Sequence, residues 1–212
     1  NWGCGGNFDP EDYAAEYRRF VTFLPDFHNA PIHLIACGPP GNDTGWTRRF
    51  FDKLGRRRIN GFAAHYYCGT AGTATQYSDD QWYQLLHRAS LMEPLVVQQR
   101  AIMDGYDPER RIGLIVDEWG AWHPSEPGRP FLWQQNSLRD ALVAALTLDI
   151  FNRHADKVVM ANIAQTINVL QAMILTDGEK MLTTPTCHVY GIYAPHQGGD
   201  SLRVSFEAEP IT

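Results

Sequence analysis

The stretch Ile112–His123, IGLIVDEWGAWH, decides the fold of this chain. Its apolar and β-branched start, from Ile112 to Val116, predicts a strand that is buried on both faces, as strands of parallel sheets are. Two acids, Asp117 and Glu118, follow where that strand is expected to end. Strand alternation predicts that the two carboxylates point in opposite directions. Because the carboxyl ends of parallel strands carry the catalytic groups of barrel enzymes, these acids are the first candidates for chemistry.

Strands alternate with amphipathic helices along the rest of the chain. Further strands are predicted in residues 32–41 (IHLIACGPPG), 61–69 (GFAAHYYCG) and 157–165 (KVVMANIAQ). Helices are predicted after the Asp9-Pro10 cap, from Thr44 to Gly55, after the Ser78–Gln81 capping box, and from about Ser137 to His154. The third helix is expected to be the longest. The predicted buried stripe of the first helix consists of Tyr13, Tyr17, Phe20, Val21 and Leu24.

This βαβαβαβ order implies a parallel sheet with right-handed crossovers, either closed as a (β/α)8 barrel or open and doubly wound. Neither G-x-G-x-x-G nor G-x-x-x-x-G-K-[ST] follows any strand. Polar and aromatic residues instead end three successive strands, as the mouth of a barrel requires. These residues are His65 and Tyr67, then Glu118 and Trp119, then Gln165. The pattern therefore favours an α/β fold of the (β/α)8 TIM-barrel type.

The pattern changes near the C-terminal end. Thr184 and Pro185 predict a helix cap and a first helical residue, although CHVYGIY (187–193) could also form a strand. The segment DSLRVSFEAE (200–209) alternates with period two and predicts a separate β element. We therefore expect residues 1–195 to form the partial barrel and residues 196–212 to begin a C-terminal β domain.

Composition and charge exclude several classes of function. The chain has 24 acidic and 18 basic residues, and its only tight basic run is Arg56–Arg58, so no nucleic-acid partner is indicated. No apolar run approaches the roughly 18 residues of a membrane span. The four cysteines and eight histidines show no C-x-x-C or H-E-x-x-H spacing, which predicts reduced thiols, no metal and no cofactor. Since NWGCGG lacks the features of a signal peptide, a cytoplasmic location is expected, with a leader ahead of Asn1 left open.

Each candidate site residue also has a purely structural interpretation. His65 and Tyr67 lie on one strand face and could share a substrate, or they could be a core histidine and a packing ring. Glu118 beside Trp119 and Trp122 matches a sugar site, because aromatic faces stack on sugar C–H groups while a carboxylate meets developing positive charge. The same acid could cap a helix, and the tryptophans could belong to the core. Gln165 could bind a sugar hydroxyl or a backbone group.

Four segments in order resemble glycoside hydrolase family 51, the α-L-arabinofuranosidases. They are NWGCGGNFDPEDYAAEYRRFVTFL (1–24), AAHYY (63–67), VDEWGAWH (116–123) and MANIAQTINVLQAMILT (160–176). The resemblance implies a (β/α)8 barrel joined to a β-sandwich, with this chain supplying barrel strands five to eight and the helix before them. It also implies removal of terminal α-L-arabinofuranosyl groups from arabinan or arabinoxylan with retention of configuration, so the expected partner is an arabinofuranoside-containing oligosaccharide or polysaccharide.

The resemblance assigns roles to the candidate residues. Glu118 in DEWG matches the catalytic nucleophile of the family. His65 and Tyr67 match positions that orient the nucleophile and the sugar, and Gln165 matches a substrate-binding amide. Trp119 and Trp122 are expected to wall the pocket. Three alternatives stay open: another retaining barrel glycosidase, a non-catalytic carbohydrate-binding barrel, and a half-barrel that pairs with another chain. Homo-oligomerisation of the full-length protein is also left open.

The resemblance places the acid/base of the family ahead of Asn1. In the family it is the Glu of a Gly-Asn-Glu motif that immediately precedes the segment resembling NWGCGG. Because retention needs two carboxyl groups about 5–5.5 Å apart, we expect a polypeptide of these 212 residues alone to be inactive. An assay of the purified piece on an aryl α-L-arabinofuranoside tests this. Hydrolysis that disappears on Glu118→Gln would contradict the expectation.

Overall fold

A four-stranded parallel sheet forms the centre of the molecule. The computed structural model describes residues 5–26 and 30–208, so Cys4 and the start of the NWGCGG segment lie outside the described residues. The strands follow one another across the sheet in chain order. They are β1 (Ile35–Ala36), β2 (Gly61–Tyr67), β3 (Gly113–Gly120) and β4 (Val158–Ile163). β1 is a short part of segment 32–41, in which a strand ending in a loop is predicted, and β2 and β4 lie within the predicted segments 61–69 and 157–165. β3 begins within the predicted apolar run but extends past both acids to Gly120.

Six α-helices and a short 3-10 helix are present in the described residues. The α-helices are α1 (Pro10–Val21), α2 (Thr44–Leu54), α3 (Asp79–Ser90), α4 (Met92–Tyr106), α5 (Leu138–Arg153) and α6 (Pro185–Tyr193). The capping box of Ser78 and Gln81 is formed, and the Thr184 side chain caps α6. The cap prediction at Thr184 is therefore confirmed, and the alternative strand over residues 187–193 is wrong.

The order of the strands identifies the architecture. A sheet whose right-handed crossovers all step in one direction carries its helices on a single face, whereas a doubly wound sheet reverses direction. The apolar side chains on that face form one core with the helices. They include Phe62 and Ala64 of β2, Leu114 and Val116 of β3, Phe50 and Leu54 of α2, and Leu95 of α4. The opposite face of the sheet is the one that lines the interior of a barrel.

The helix predicted after Ser78 is two helices. The chain breaks at Leu91, so α3 has 12 residues, α4 has 15, and the longest helix is α5 with 16. Pro94 provides the physical reason, because its ring excludes the helical carbonyl four residues earlier, at Ser90. The prediction of one long helix is therefore wrong. Of the buried stripe that the sequence predicts for it, Trp82, Leu85, Leu86 and Ala89, the structure buries Leu85 and Ala89.

The predicted stripe of α1 is correct only in its first two turns. Tyr13 stacks on Phe50 of α2 with ring centroids 5.6 Å apart, and Tyr17 meets the same ring edge-on. In contrast, Phe20 is 68% exposed and Leu24 is 42% exposed, because no described element covers the end of this helix. These two residues do not belong to the core of this chain.

The C-terminal region differs from the prediction. A hairpin that the sequence analysis did not foresee joins β5 (Ile174–Asp177) to β6 (Lys180–Thr183). Between Asp200 and Ala208 the structure has no strand, and Leu202, Val204 and Phe206 are exposed. A strand needs a partner for its backbone groups, and none of the described residues supplies one to this segment. The described residues 200–208 thus form no strand within this chain, and the C-terminal β domain with its boundary at residue 195 stays a prediction.

Candidate active site

A β-bulge in β3 sets the geometry of the site. Between the pairs Ala63–Ile115 and His65–Glu118, β3 contains one residue more than β2. The pairing with β4 shows the same surplus between Val116 and Trp119. A bulge interrupts strand alternation and re-aims the side chains that follow it. The sequence prediction that the two acids point in opposite directions is therefore wrong.

Both acids contact the same strand face. The His65 Nε2 atom lies 2.8 Å from Asp117 Oδ1, and the Tyr67 hydroxyl donates a hydrogen bond of 2.5 Å to Glu118 Oε1. His65 and Tyr67 are two residues apart on β2, so their side chains share one face. That face is opposite to the helices, because Val116 and Trp119 on either side of the acids belong to the helix-facing core. The site therefore presents two carboxylates toward the barrel interior.

The two acid pairs differ in geometry. His65 Nε2 and Asp117 Oδ1 are at ion-pair distance, and Asp117 Oδ1 accepts no hydrogen bond from the described residues. Tyr67, by contrast, donates directly. Burial, and after it the hydrogen bond to Glu118, raise the pKa of the Tyr67 phenol above its ordinary value. The hydrogen therefore stays on the tyrosine, and Tyr67 acts as a fixed donor that orients the Glu118 carboxylate.

The two tryptophans that follow Glu118 have different environments. Trp122 is 37% exposed, and its ring meets the Tyr67 ring edge-on at 5.0 Å between centroids. Trp119 is 1% exposed and packs edge-on against Phe151 of α5 at 5.5 Å. Only Trp122 stands beside the acids. The predicted role of Trp119 as a pocket wall does not agree with its place in the core, which the bulge imposes.

Gln165 reaches the same end of the sheet from the next strand. It follows β4, its side chain is exposed, and the neighbouring Ala164 N–H donates to Trp119 O at 3.0 Å. The carboxyl ends of β2, β3 and β4 therefore bring His65, Tyr67, Glu118, Trp122 and Gln165 to one edge. The arrangement offers a carboxylate oriented by a phenol, an accessible aromatic ring and an amide. Such a set can hold a sugar and attack it.

Comparison with known proteins identifies the family. Residues 117–212 match the model of the alpha-L-arabinofuranosidase C-terminal domain. A curated intracellular exo-alpha-L-arabinofuranosidase of Bacteroides ovatus is 40% identical over 219 aligned residues, which cover 100% of this chain and 42% of that protein. The crystal structure of the GH51 arabinofuranosidase from Xanthomonas axonopodis pv. citri has a TM-score of 0.88 and 46% identity, covering 94% of this chain and 41% of that one. The chain belongs to glycoside hydrolase family 51.

The family 51 chain spans about two fifths of the length of these two relatives. A more distant structure, the arabinose complex of the alpha-L-arabinofuranosidase from Thermotoga maritima, has a TM-score of 0.73 at 22% identity and covers 92% of this chain and 37% of that one. It shares the fold. These matches confirm the predicted fold class, the C-terminal part of a (β/α)8 barrel, and the resemblance on which the role assignments rest.

A buried polar network, which the sequence analysis missed, lies behind the family 51 site. His123 Nε2 is 2.8 Å from Asp140 Oδ1, and both side chains are fully enclosed. Gln171 joins this region to β3, because its side chain accepts from Ala121 N–H at 2.8 Å and donates to Asp140 O at 2.6 Å. The spacing of Ser137 and Asp140 at the start of α5 was an available signal for part of it, since the pair forms a capping box. No pattern pointed to His123 as its partner.

Two arginines fix the loop that follows β2. Arg88 donates to Thr70 O, and Arg139 donates to Ala71 O at 2.7 Å and to Thr73 O at 2.8 Å. Burial lowers the pKa of Arg139. Its guanidinium also lies over the Tyr77 ring, at 3.8 Å from the centroid. The loop next to Tyr67 is therefore tied to α3 and α5 by charged donors.

Other kinds of site find little support within residues 5–26 and 30–208. No three His, Cys, Asp or Glu side chains in this part of the chain are placed to hold a metal ion. Burial raises the pKa of the Cys68 thiol to about 12, so this cysteine is a poor nucleophile although it follows Tyr67 directly. No helix in the described ranges is long and apolar enough to cross a membrane.

Proposed function

We propose that the protein carrying this chain is a retaining exo-acting α-L-arabinofuranosidase and that Glu118 is its nucleophile. The observation that carries the proposal is the bulge at Asp117–Glu118, which presents Glu118 to the barrel interior with Tyr67 as its donor at 2.5 Å. The names of the B. ovatus and X. axonopodis relatives support the substrate class, an α-L-arabinofuranoside. The name of the first relative also supports an intracellular location.

The mechanism follows from the position of the carboxylate. Glu118 attacks the anomeric carbon of a terminal arabinofuranosyl group, and the bond to the leaving oxygen breaks as a second carboxylic acid protonates that oxygen. The same acid then takes a proton from water, which displaces Glu118 and releases arabinose with retention. The second carboxyl group is the one that the resemblance to the family assigns to a Gly-Asn-Glu motif.

The remaining site residues position the sugar. Trp122 offers an accessible ring for the apolar C–H surface of the furanose, and the Gln165 amide can hydrogen-bond its hydroxyls. His65 is buried, and its Nε2 atom lies 2.8 Å from Asp117 Oδ1, which keeps Asp117 beside the strand that carries Tyr67. Tyr67 holds one oxygen of Glu118 and leaves the other for attack.

The direct test is to identify the sugar that the natural polypeptide containing these residues releases from a substrate. We expect it to release arabinose from an aryl α-L-arabinofuranoside, with proton NMR at early times showing the α anomer that retention requires. An aryl β-D-xylopyranoside and an aryl α-L-arabinopyranoside serve as matched controls. Preferential cleavage of a pyranoside would favour another retaining glycosidase. Binding of arabino-oligosaccharide without hydrolysis would favour a carbohydrate-binding barrel.

Replacement of Tyr67 by phenylalanine tests the orientation of the nucleophile. The variant removes the donor to Glu118 while keeping the ring that meets Trp122. A hydrogen bond to a charged group contributes roughly 1.5–3 kcal/mol, so kcat/KM is expected to fall about ten- to a hundredfold. Tyr66→Phe is the control, because the Tyr66 hydroxyl donates to Arg88 O in the helix layer and not to the site. Equal losses in both variants would contradict a specific role for Tyr67.

A further inference from the structure

His123 joins three elements around one buried ring. Its Nε2 atom lies 2.8 Å from Asp140 Oδ1 in the first turn of α5, and its Nδ1 atom lies 2.9 Å from Thr70 Oγ1 in the loop after β2. His123 itself lies in the segment after β3, one residue beyond Trp122. Its backbone N–H is also held, by the Gln134 side chain at 2.8 Å. The ring therefore fixes the distance between the segments that carry Tyr67 and Trp122.

The two side chains that hold the His123 ring, Thr70 and Asp140, are themselves fixed by further hydrogen bonds. The Thr70 hydroxyl is 2.7 Å from Gly72 O, which can only accept, so its single hydrogen is used there and its oxygen accepts from His123 Nδ1. Asp140 Oδ2 accepts from the backbone N–H and the hydroxyl of Ser137 at 2.7 and 2.8 Å. Its other oxygen, Oδ1, is the atom that lies 2.8 Å from His123 Nε2. Asp140 and Thr70 therefore hold the ring through both of its nitrogen atoms in an enclosed site.

The His123 ring adds a contact between the segments that follow β2 and β3, beyond the last paired residues of the two strands. Past the last paired residues, Cys68 N–H donates to Gly120 O at 3.1 Å, and Trp122 N–H donates to Gly69 O at 3.4 Å. The second of these backbone bonds is long, and the Trp122 side chain is partly exposed. The shorter His123–Thr70 bond is the next connection between the same two segments. The position of Trp122 against Tyr67 therefore depends on this ring.

We propose that His123, held by Asp140 and Thr70, is a positioning residue that sets the separation of Trp122 and Tyr67 and so the fit of the sugar at Glu118. This proposal rests on the proposed function and goes beyond it, because His123 touches neither the sugar nor the nucleophile. It acts on the aromatic wall of the pocket. Its loss should therefore weaken substrate binding more than it slows chemistry.

The test is a double-mutant cycle in the natural polypeptide. His123→Gln is expected to raise KM for the aryl arabinofuranoside at least about tenfold with less than a threefold change in kcat. Trp122→Ala alone is also expected to raise KM. If His123 acts through Trp122, His123→Gln adds less than twofold to KM when Trp122 is already alanine, since residues that act as a unit are not additive. An unchanged tenfold effect in that background would overturn the proposal.

Two further variants make the test decisive. Thr70→Val removes the acceptor of Nδ1 with little change in shape, and it is expected to raise KM about threefold even if His123→Gln fails to fold. His154→Gln is the matched control, because His154 pairs with Glu93 at 2.8 Å on the far end of α5 and should leave KM unchanged. Equal KM changes for Thr70→Val and His154→Gln would overturn the proposal. Absence of hydrolysis by the unsubstituted protein would instead reject the proposed function.

Discussion

Glu118→Gln in the natural polypeptide is expected to lower kcat on an aryl α-L-arabinofuranoside by a factor on the order of 10⁴, the scale seen when a covalent or triad group is removed. An amide cannot attack the anomeric carbon, but its oxygen can still accept from Tyr67, so the site should keep its shape. The thermal midpoint should therefore change little. Steady-state kinetics and thermal unfolding of the same samples measure the two quantities.

The role of Glu118 as nucleophile, rather than as a general electrostatic group, can be tested by chemical rescue. Glu118→Gly leaves room beside Tyr67 for a small anion such as azide. Direct attack by azide would form an arabinofuranosyl azide with inversion, because the double displacement is replaced by one step. Asp117→Gly with azide is the matched control, since Asp117 faces the same side next to His65. Rescue with retained configuration, or rescue only at position 117, would contradict the assignment.

Trp119→Ala is expected mainly to lower the stability of the fold, whereas Trp122→Ala is expected mainly to weaken substrate binding. Trp119 is buried among core residues against Phe151, and removal of a large buried ring costs about 3–5 kcal/mol of folding free energy. Trp122 is partly exposed and meets Tyr67 at the mouth. Trp122→Ala should therefore cost less than about 1 kcal/mol in stability, while weakening substrate binding.

Denaturant midpoints and KM values of both variants decide this comparison. The expected result is a large shift in midpoint for Trp119→Ala with near-normal KM in the fraction that stays folded, and the reverse for Trp122→Ala. Trp119→Phe is a useful third variant, because Trp119 Nε1 makes no hydrogen bond to any described residue and the phenyl ring keeps part of the packing. A raised KM for Trp119→Phe with an unchanged denaturant midpoint would instead support the predicted role of Trp119 in the wall of the pocket.

Sequence reasoning succeeded where one local signal determined the structure. The apolar run before Glu118 predicted its strand, and the capping residues Ser78 and Thr184 predicted helix starts. The break between α3 and α4 had a signal in Pro94, which the prediction of one long helix after Ser78 overlooked. Local patterns of this kind predict a parallel α/β sheet, and the polar and aromatic residues at three successive strand ends favour the barrel over an open sheet.

The parts that sequence reasoning missed depend on contacts between distant positions. Asp117 and Glu118 share a face because Trp119 packs against Phe151, which lies on another element. His123 finds its partners at Thr70 and Asp140, separated from it by 53 and 17 residues. Period-two alternation carries no information about an extra residue in a strand. Likewise, the alternation at 200–209 describes a strand only if a neighbour pairs with it.

The order of residues around the bulge ties catalysis to folding. If β3 kept regular alternation, Glu118 would point into the helix layer and Trp119 would point into the sugar site. Burying an unpaired carboxylate there would cost several kcal/mol, and the core would lose one of its two tryptophan rings. The run acid, acid, tryptophan therefore makes the regular strand the unstable alternative. A chain that folded without the bulge would be unstable and would be degraded in the cell. Every stably folded chain therefore has Glu118 facing the barrel interior.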